Sequence, residues 1–316
     1  MWCKQCNIET NADICPVCGG TTVEDLPVEV YWCDSCKIPI INTIIQADKG
    51  CCPVCGGKTE YLSADLRPVF PEERLLVELL LEKEPNSLVN ESLWASNNRY
   101  YINGKSIAMP NSKYECANIN SIIEKLHSFS AANSYDGFNK YIQLFTLANR
   151  SRLEYLKDEA FQFIKKAASK FPAENIVVSF SGGKDSTVSA DLAVKALSDP
   201  SIVHIYGDTT LEFPSTTEYA ERFRKNHPNA IFQIAKNDEQ DFYDVCEDIG
   251  PPARMMRWCC SMFKTGPITR VINSLYDSQQ ILTFYGIRKA ESVSRSKYNR
   301  IEDSADAVKI KQQTVE

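Results

Sequence analysis

Ser181-Gly182-Gly183-Lys184-Asp185-Ser186 follows directly on the apolar, β-branched run Asn175-Ile176-Val177-Val178-Ser179-Phe180 and precedes a helical pattern starting at Ser186 or Thr187. Strand, glycine-rich turn and helix in that order make an anion cradle. The glycines let the backbone curl, the free N–H groups of the helix start point at the ligand, and Lys184 adds a full positive charge. The turn predicts a nucleotide or a similar oxyanion. It is not the P-loop of kinases and GTPases, because Val178 stands where Gly-x-x-x-x-Gly-Lys-[Ser/Thr] needs glycine and Asp185 where it needs a hydroxyl.

The chain around this turn alternates. A helical pattern over 141–170 leads into the strand 175–180; helices are expected at about 186–198 and 215–226, and strands at 202–206, 230–234 and 281–285. Short β-branched runs between helices predict an α/β domain with a doubly wound parallel sheet, its ligand at the carboxyl ends of the strands.

The first 55 residues are different in kind. They hold nine of the chain's thirteen cysteines, mostly in Cys-x-x-Cys units. Cys3-x-x-Cys6 is followed by Cys15-Pro-Val-Cys18-Gly-Gly, and Cys33-x-x-Cys36 by Cys52-Pro-Val-Cys55-Gly-Gly. Each half-site aims two thiolates at one point, so tandem zinc ribbons are expected, with Cys3, Cys6, Cys15 and Cys18 at one zinc and Cys33, Cys36, Cys52 and Cys55 at the other. Cys51 is a spare thiol able to replace Cys52. A structural role for the metal is favoured, in place of a core too small to form alone. The ribbon surface remains free to dock tRNA or DNA.

A net charge of −6 and a pI near 5.4 give no overall basic footprint, so any nucleic-acid contact has to be local. No apolar stretch reaches membrane-spanning length and the first residues are no signal peptide, so a soluble cytoplasmic protein without membrane contact is expected. The expected domains are ribbons at 1–25 and 26–65, a small α+β module at 66–135 and a nucleotide-binding domain at 136–316. Within the module, a helix is expected over 72–84 and a hairpin around Asn103-Gly104.

Three further segments fall at the predicted ligand edge. Asp208 and Thr209 follow the second strand, where the carboxylate can take Mg²⁺ or a nucleotide group, or cap the next helix. Gly286-Ile287-Arg288-Lys289-Ala290-Glu291-Ser292-Val293-Ser294-Arg295 begins a run of cations, Arg288, Lys289, Arg295, Lys297 and Arg300. Guanidinium forks suit phosphate or sulfate, so Arg288 and Arg295 are the expected anion ligands, with Glu291 orienting one of them. Arg257-Trp258-Cys259-Cys260 places two adjacent thiols among cations, which would favour the thiolate.

Together the Ser-Gly-Gly-Lys-Asp-Ser turn, Asp-Thr-x-x-Glu-Phe-Pro at 208–214, Cys-Cys-x-x-x-Lys-x-x-Pro at 259–267 and Gly-Ile-Arg-x-x-Glu-Ser-x-x-Arg at 286–295 resemble the phosphoadenylyl-sulfate (PAPS) reductase family of the PP-loop, adenine nucleotide α-hydrolase-like superfamily. The resemblance implies PAPS, adenylyl sulfate (APS) or ATP as ligand. It puts Ser179, Ser181, Gly182, Gly183, Lys184, Asp185, Ser186, Asp208, Thr209, Gly286, Arg288 and Arg295 around the nucleotide, with Lys184, Asp185, Arg288 and Arg295 in catalytic roles. It further implies a thioredoxin-like electron donor, a homo-oligomer and, where a Cys-Cys pair is joined by a later Cys-x-x-Cys, a [4Fe–4S] cluster on Cys259 and Cys260. No Cys-x-x-Cys follows Cys260 in this sequence, and a Glu-Cys-Gly-Leu-His segment carrying a nucleophilic cysteine is not found. The chain is therefore expected to be a fragment, or a member without the reductive half of the chemistry.

Three functions follow. The first is thiol-dependent reduction of an adenylyl sulfate to sulfite. The second is ATP pyrophosphatase chemistry, giving AMP and pyrophosphate, that activates a nucleic acid for sulfur insertion. The third is a non-catalytic nucleotide- or nucleic-acid-binding module of a larger complex.

Overall fold

The computed structural model describes residues 1–6, 8–10, 12–23, 28–43, 50–96, 99–109, 118–128, 135–253, 255–277, 279–288 and 301. The chain divides into two compact units, Met1–Leu156 and Lys157–Glu316. The finer partition into two ribbons, a module and a nucleotide-binding domain is a proposal within that division.

In the first unit the two cysteine segments take the same local form. β1 (Trp2–Cys3) pairs with β2 (Ile8–Glu9), and β3 (Val28–Cys33) lies between β4 (Ile38–Thr43) and β5 (Thr59–Ser63), all antiparallel. After each second Cys-Pro-Val-Cys the chain closes on itself: the Gly19 N–H donates to Cys15 O at 2.9 Å, and the Gly56 N–H to Cys52 O at 2.8 Å. The second ribbon is extended by a core. Its buried Cys33, Ile38, Ile40 and Cys52 pack on Ala148 and Leu144 of a helix, α3 below.

Pro68 and Pro71 stand inside elements: Pro68 closes β6 (Arg67–Pro68) and Pro71 opens α1 (Pro71–Leu80), which is followed by β7 (Leu93–Ser96), β8 (Arg99–Ile102) and β9 (Lys105–Ala108), with β6 in one antiparallel sheet in the order β6-β7-β8-β9. The expected hairpin is present, with Asn103-Gly104 as its two-residue turn between Ile102 and Lys105. α1 ends at Leu80, short of Glu84, and the buried Glu78 carboxylate explains the stop. It accepts the N–H groups of Asn86 at 2.8 Å and Leu88 at 2.7 Å, holding the following loop back against the helix.

α2 (Ile119–Ser128) follows, and the helical pattern expected over 141–170 is two helices, α3 (Tyr135–Ala148) and α4 (Arg150–Ala168). Asn149 makes the break. Its buried amide accepts from the Ile41 N–H at 2.6 Å and donates to Pro39 O at 3.1 Å, so the side chain turns to the β4 backbone at the joint of the two helices.

The second unit carries a parallel sheet in the order β12-β11-β10-β13, built from β10 (Ile176–Phe180), β11 (Val203–Asp208), β12 (Ile231–Lys236) and β13 (Leu282–Phe284). Alternation along β10 sorts its side chains. Ile176, Val178 and Phe180 join a core with Ala190 and Ala193 of α5 (Lys184–Leu197) and Ala220 and Phe223 of α6 (Pro214–Asn226). Val177 joins the opposite core with Ile205, Ala235 and Ile272. Ile272 belongs to α9 (Gly266–Tyr276). Helices thus cover both faces, as the doubly wound reading requires.

Besides α2 in the first unit, two helical stretches of the second had no counterpart in the sequence reading. α7 (Phe242–Ile249) begins at a capping box, in which Asp241 accepts from the Tyr243 and Asp244 N–H groups and the Asp244 carboxylate accepts from the Asp241 N–H. A short turn α8 (Trp258–Cys260) runs through a π-helical segment, Ser261–Thr265, into α9. Among the described residues no helix is long and apolar enough to cross a membrane.

Candidate functional site

β10 and β13 are neighbours, yet the chain reaches β13 only after winding outward from β10 through β11 to β12 and crossing back to the other side of β10. The crevice at the carboxyl ends of such a pair is where open parallel sheets take ligands. Both strands deliver predicted site residues there.

After β10 the turn curls around its own hydroxyls. Ser186 Oγ donates to Gly183 O at 2.9 Å and accepts from the Ser181 N–H at 3.2 Å, with Ser181 Oγ 3.1 Å away. Gly182 has φ +72°, the left-handed region open to glycine, and a Cβ there would lie 3.1 Å from Thr216 Cγ2 of α6. α5 starts at Lys184, two residues earlier than expected. Gly183 caps it without a side-chain hydrogen bond, which leaves the first-turn N–H groups facing the turn. Lys184 is exposed, Asp185 half-buried and Ser186 buried. A second layer braces the turn from outside: Tyr219 donates its hydroxyl to Thr187 Oγ1 at 3.1 Å, and Thr187 donates to Gly183 O at 2.9 Å.

The segment after β13 presses on this turn. A Cβ on Gly286 would lie 2.5 Å from the Asp185 carbonyl carbon and oxygen and 2.7 Å from the Ser186 nitrogen, so only glycine lets the two backbones meet. Two residues on, Arg288 Nε donates to Asp185 Oδ2 at 3.0 Å. The structure therefore brings Ser181–Ser186, Gly286 and Arg288 together. Arg295, Lys289, Glu291, Lys297 and Arg300 lie outside the described residues.

Ser179 is in β10, paired with Ile205. β11 runs two residues further than predicted, so Asp208 ends the strand rather than beginning the loop. Its carboxylate is engaged on both sides, accepting from the Thr210 N–H at 2.9 Å and facing Lys236 Nζ at 4.0 Å. Thr209 donates to Glu212 at 2.8 Å. Asp208 thus stands at the same edge of the sheet as the turn, oriented by Thr210 and Lys236. The sequence singled out neither residue, though a lysine closing the next parallel strand is the available signal. Thr210 has φ +63°, a strained conformation for a β-branched residue, and its hydroxyl accepts the Phe242 N–H at 2.8 Å, tying the loop to the start of α7.

Cys259 and Cys260 sit half-buried in α8, beside an aromatic group in which Trp258, Phe242 and Phe263 have ring centroids 5.2–6.0 Å apart. Arg257 Nη2 lies 3.6 Å from Cys260 Sγ. The thiolate expected from neighbouring cations is not favoured at Cys259. Burial first, and then Cys260, pushes its pKa up, and Arg257 opposes this more weakly. Among the described residues these two thiols join no group of three potential metal ligands, so a four-thiolate cluster is not assembled there.

The other thiols do group. Cys3, Cys6, Cys15 and Cys18 form one set and Cys33, Cys36, Cys52 and Cys55 a second, each with its sulfurs within 4.8 Å of one another. Backbone N–H groups support them alike: Cys6 N to Cys3 Sγ and Cys36 N to Cys33 Sγ are both 3.4 Å. Cys15 is pulled down to about 7 by backbone N–H donation, while Cys6 is pushed up to about 12 by the Cys18 thiol and burial. In the second set Cys55 is drawn down to about 7 by the Gly57 N–H, and burial raises Cys36 and Cys33. Four sulfurs in so small a space cannot all ionise without a cation among them, and four thiolates suit tetrahedral zinc. Both sets can hold it. Cys52 is inside the second set and Cys51 is exposed outside it, which decides between the two.

A parallel sheet covered by helices on both faces, with a glycine-rich turn between strand and helix at its carboxyl edge, is an architecture that takes anionic ligands at that turn. Residues 175–312 match the phosphoadenosine phosphosulfate reductase domain. Two uncharacterized proteins of Methanocaldococcus jannaschii are similar: MJ0066, 31% identical over 60% of this chain and 38% of its own length, and MJ0973, 34% identical over 47% of this chain and 35% of its own. The chain thus spans little more than a third of the curated relatives it matches. Among solved structures, a phosphate complex of PAPS reductase from Candida auris overlaps 41% of this chain and 61% of that one, at 17% identity and a TM-score of 0.33. An NH3-dependent NAD synthetase from Campylobacter jejuni overlaps 44% and 58%, at 16% identity and a TM-score of 0.31.

Proposed function

We propose that the second unit is an enzyme that binds an adenine nucleotide, PAPS, APS or ATP, and acts on its phosphate or sulfate end. The observation that carries this is the meeting of two chain segments at the switch point, the Ser181–Ser186 turn and Gly286–Arg288. One offers backbone N–H groups and Lys184, the other a guanidinium; between them an oxyanion has donors from two directions. Lys184 and Arg288 neutralise charge as the bond breaks, and Asp185 holds the arginine. Arg295 is proposed as a second guanidinium, and Asp208 as the group that orients the nucleotide or a Mg²⁺ ion.

The domain match supports thiol-dependent reduction. In that reaction the bond between sulfur and the bridging oxygen of the adenylyl sulfate breaks, two thiols of a thioredoxin-like donor close to a disulfide, and their two electrons leave with sulfite while the nucleotide departs as an adenosine phosphate. The two four-cysteine sets favour a second reading in which ATP is split to AMP and pyrophosphate to activate a nucleic acid for sulfur insertion. Zinc on the two four-cysteine sets would shape a surface for that nucleic acid.

Incubation with PAPS, APS or ATP, with and without a dithiol donor or RNA, separates them. Sulfite released from PAPS or APS establishes reduction, and pyrophosphate and AMP formed from ATP establish the second reading. If none of the three nucleotides is bound, the proposal fails.

A further inference from the structure

The two four-cysteine sets are alike in their ligands and unlike in what surrounds them. In each, the Sγ atoms of the first and last cysteines stand 3.5 Å apart, Cys3 from Cys18 and Cys33 from Cys55, and the last cysteine is the exposed one. Gly19 and Gly56, which follow those last cysteines, share a φ of +70°. Ligand chemistry therefore gives neither site a firmer hold on zinc than the other.

Packing separates them. Among the described residues up to Val23 only Cys3 and Cys15 are buried, and both are ligands. Ile14 and Val17 are 61% and 72% exposed, and β1 and β2 are two residues each. The second ribbon buries Val30, Trp32, Ile38 and Ile40 besides Cys33 and Cys52, pairs β3 with β4 along all six residues, and rests on Ala148 of α3. A segment without an apolar core keeps its shape only through the metal, so the entropy lost in ordering it subtracts from zinc affinity; where a core already orders the ligands, that loss is offset before the metal arrives. Release follows the same asymmetry, because a metal leaves through local opening, and the opening that frees Cys18 disrupts far less than the one that frees Cys55. We propose that the second set is a permanent structural zinc site and the first an exchangeable one, so that the first ribbon folds and unfolds with the supply of zinc while the rest of the chain stays folded. The first ribbon is then a zinc-responsive switch, and a partner docked on its surface is released when zinc is withdrawn.

The test is zinc release from the fully loaded chain into excess chelator, followed by the colour of a zinc indicator. About one zinc per chain is expected to leave roughly a hundredfold faster or more than the other. Cys18→Ser is expected to abolish the fast phase alone and Cys55→Ser the slow phase, while Ile40→Ala, which weakens the core of the second ribbon without touching a ligand, speeds the slow phase roughly tenfold. If Cys55→Ser misfolds the second ribbon, hydrogen exchange of the unaltered chain loaded with about one zinc decides in its place: peptides from the first ribbon exchange freely and those from β3 and β4 stay protected. Both zincs leaving in one phase, a slow phase lost with Cys18→Ser, a slow phase unmoved by Ile40→Ala, or protection persisting in the first ribbon at about one zinc per chain would overturn the proposal.

Discussion

Gly286 has no room for a side chain, and that places it at the centre of the site although it carries no chemistry of its own. A methyl group there would sit 2.5 Å from the Asp185 carbonyl. Gly286→Ala is expected to cost about 2 kcal/mol in stability and to weaken binding of adenine nucleotides or pyrophosphate about tenfold or more, because relief requires the turn and the strand to part. Urea denaturation and calorimetric titration check both effects. Undiminished affinity in the alanine variant would remove the contact from any account of binding. His204 acts at the same scale. It is buried with Nδ1 2.7 Å from Ile202 O, and burial holds its pKa below the ordinary 6.5, with His227 adding to the effect. The unfolded chain takes up the proton that the folded one refuses, so stability is complete above about pH 6.5 and falls as pH drops below it, by at most about 1.4 kcal/mol per unit. His204→Gln is expected to flatten this slope between pH 7.5 and 5.5 in the urea-unfolding transition of the second unit. An unchanged slope would assign the acid sensitivity elsewhere.

Single elements account for where the sequence was readable and where it was not. The two ribbons were legible because a fixed four-residue unit, Cys-Pro-Val-Cys followed by two glycines, dictates a turn whatever surrounds it. The spare thiol needed the structure: only folding shows Cys52 turned inward and Cys51 outward. Cys52→Ser is expected to lower the zinc content from about two per chain to about one, and Cys51→Ser to leave it at about two, by atomic absorption of the purified protein. Equal losses in the two variants would refute the assignment. Strands with β-branched runs were also legible, to within two residues at their ends. α9 was not, because Gly266-Pro267 reads as a breaker when Pro267 in fact occupies the first turn of a helix, where its missing N–H costs nothing. α7 escaped for another reason, its capping box being built from Asp241 and Asp244 in a run of polar residues that resembles a loop.

At the scale of the whole molecule, the two units draw their stability from different sources. The first relies in part on two thiol sets beside small cores; the second buries Phe180, Val177, Val178 and Ala193 between helices. A strong chelator is therefore expected to lower one calorimetric transition by roughly 10 °C or more and to leave that of the parallel-sheet unit in place. A uniform downward shift of all transitions would show that the units unfold as one. The architecture of the second unit was readable from alternation alone, and the turn at its centre from six residues. What alternation could not supply is the meeting of distant segments: Arg288 on Asp185, Lys236 beside Asp208 and Thr210 on Phe242 are products of strand order, which local patterns do not encode.

Asn149 has a consequence of a different sort. β4 is an outer strand of its sheet, and the asparagine amide occupies the Ile41 N–H and the Pro39 carbonyl just as a neighbouring strand would. One side chain plugs that border against stray polypeptide. Truncating it would cost more than two hydrogen bonds, since a stretch of Ile-Pro-Ile-Ile would then stand open to any unfolded chain during synthesis, and the first symptom would be lost solubility rather than lost activity.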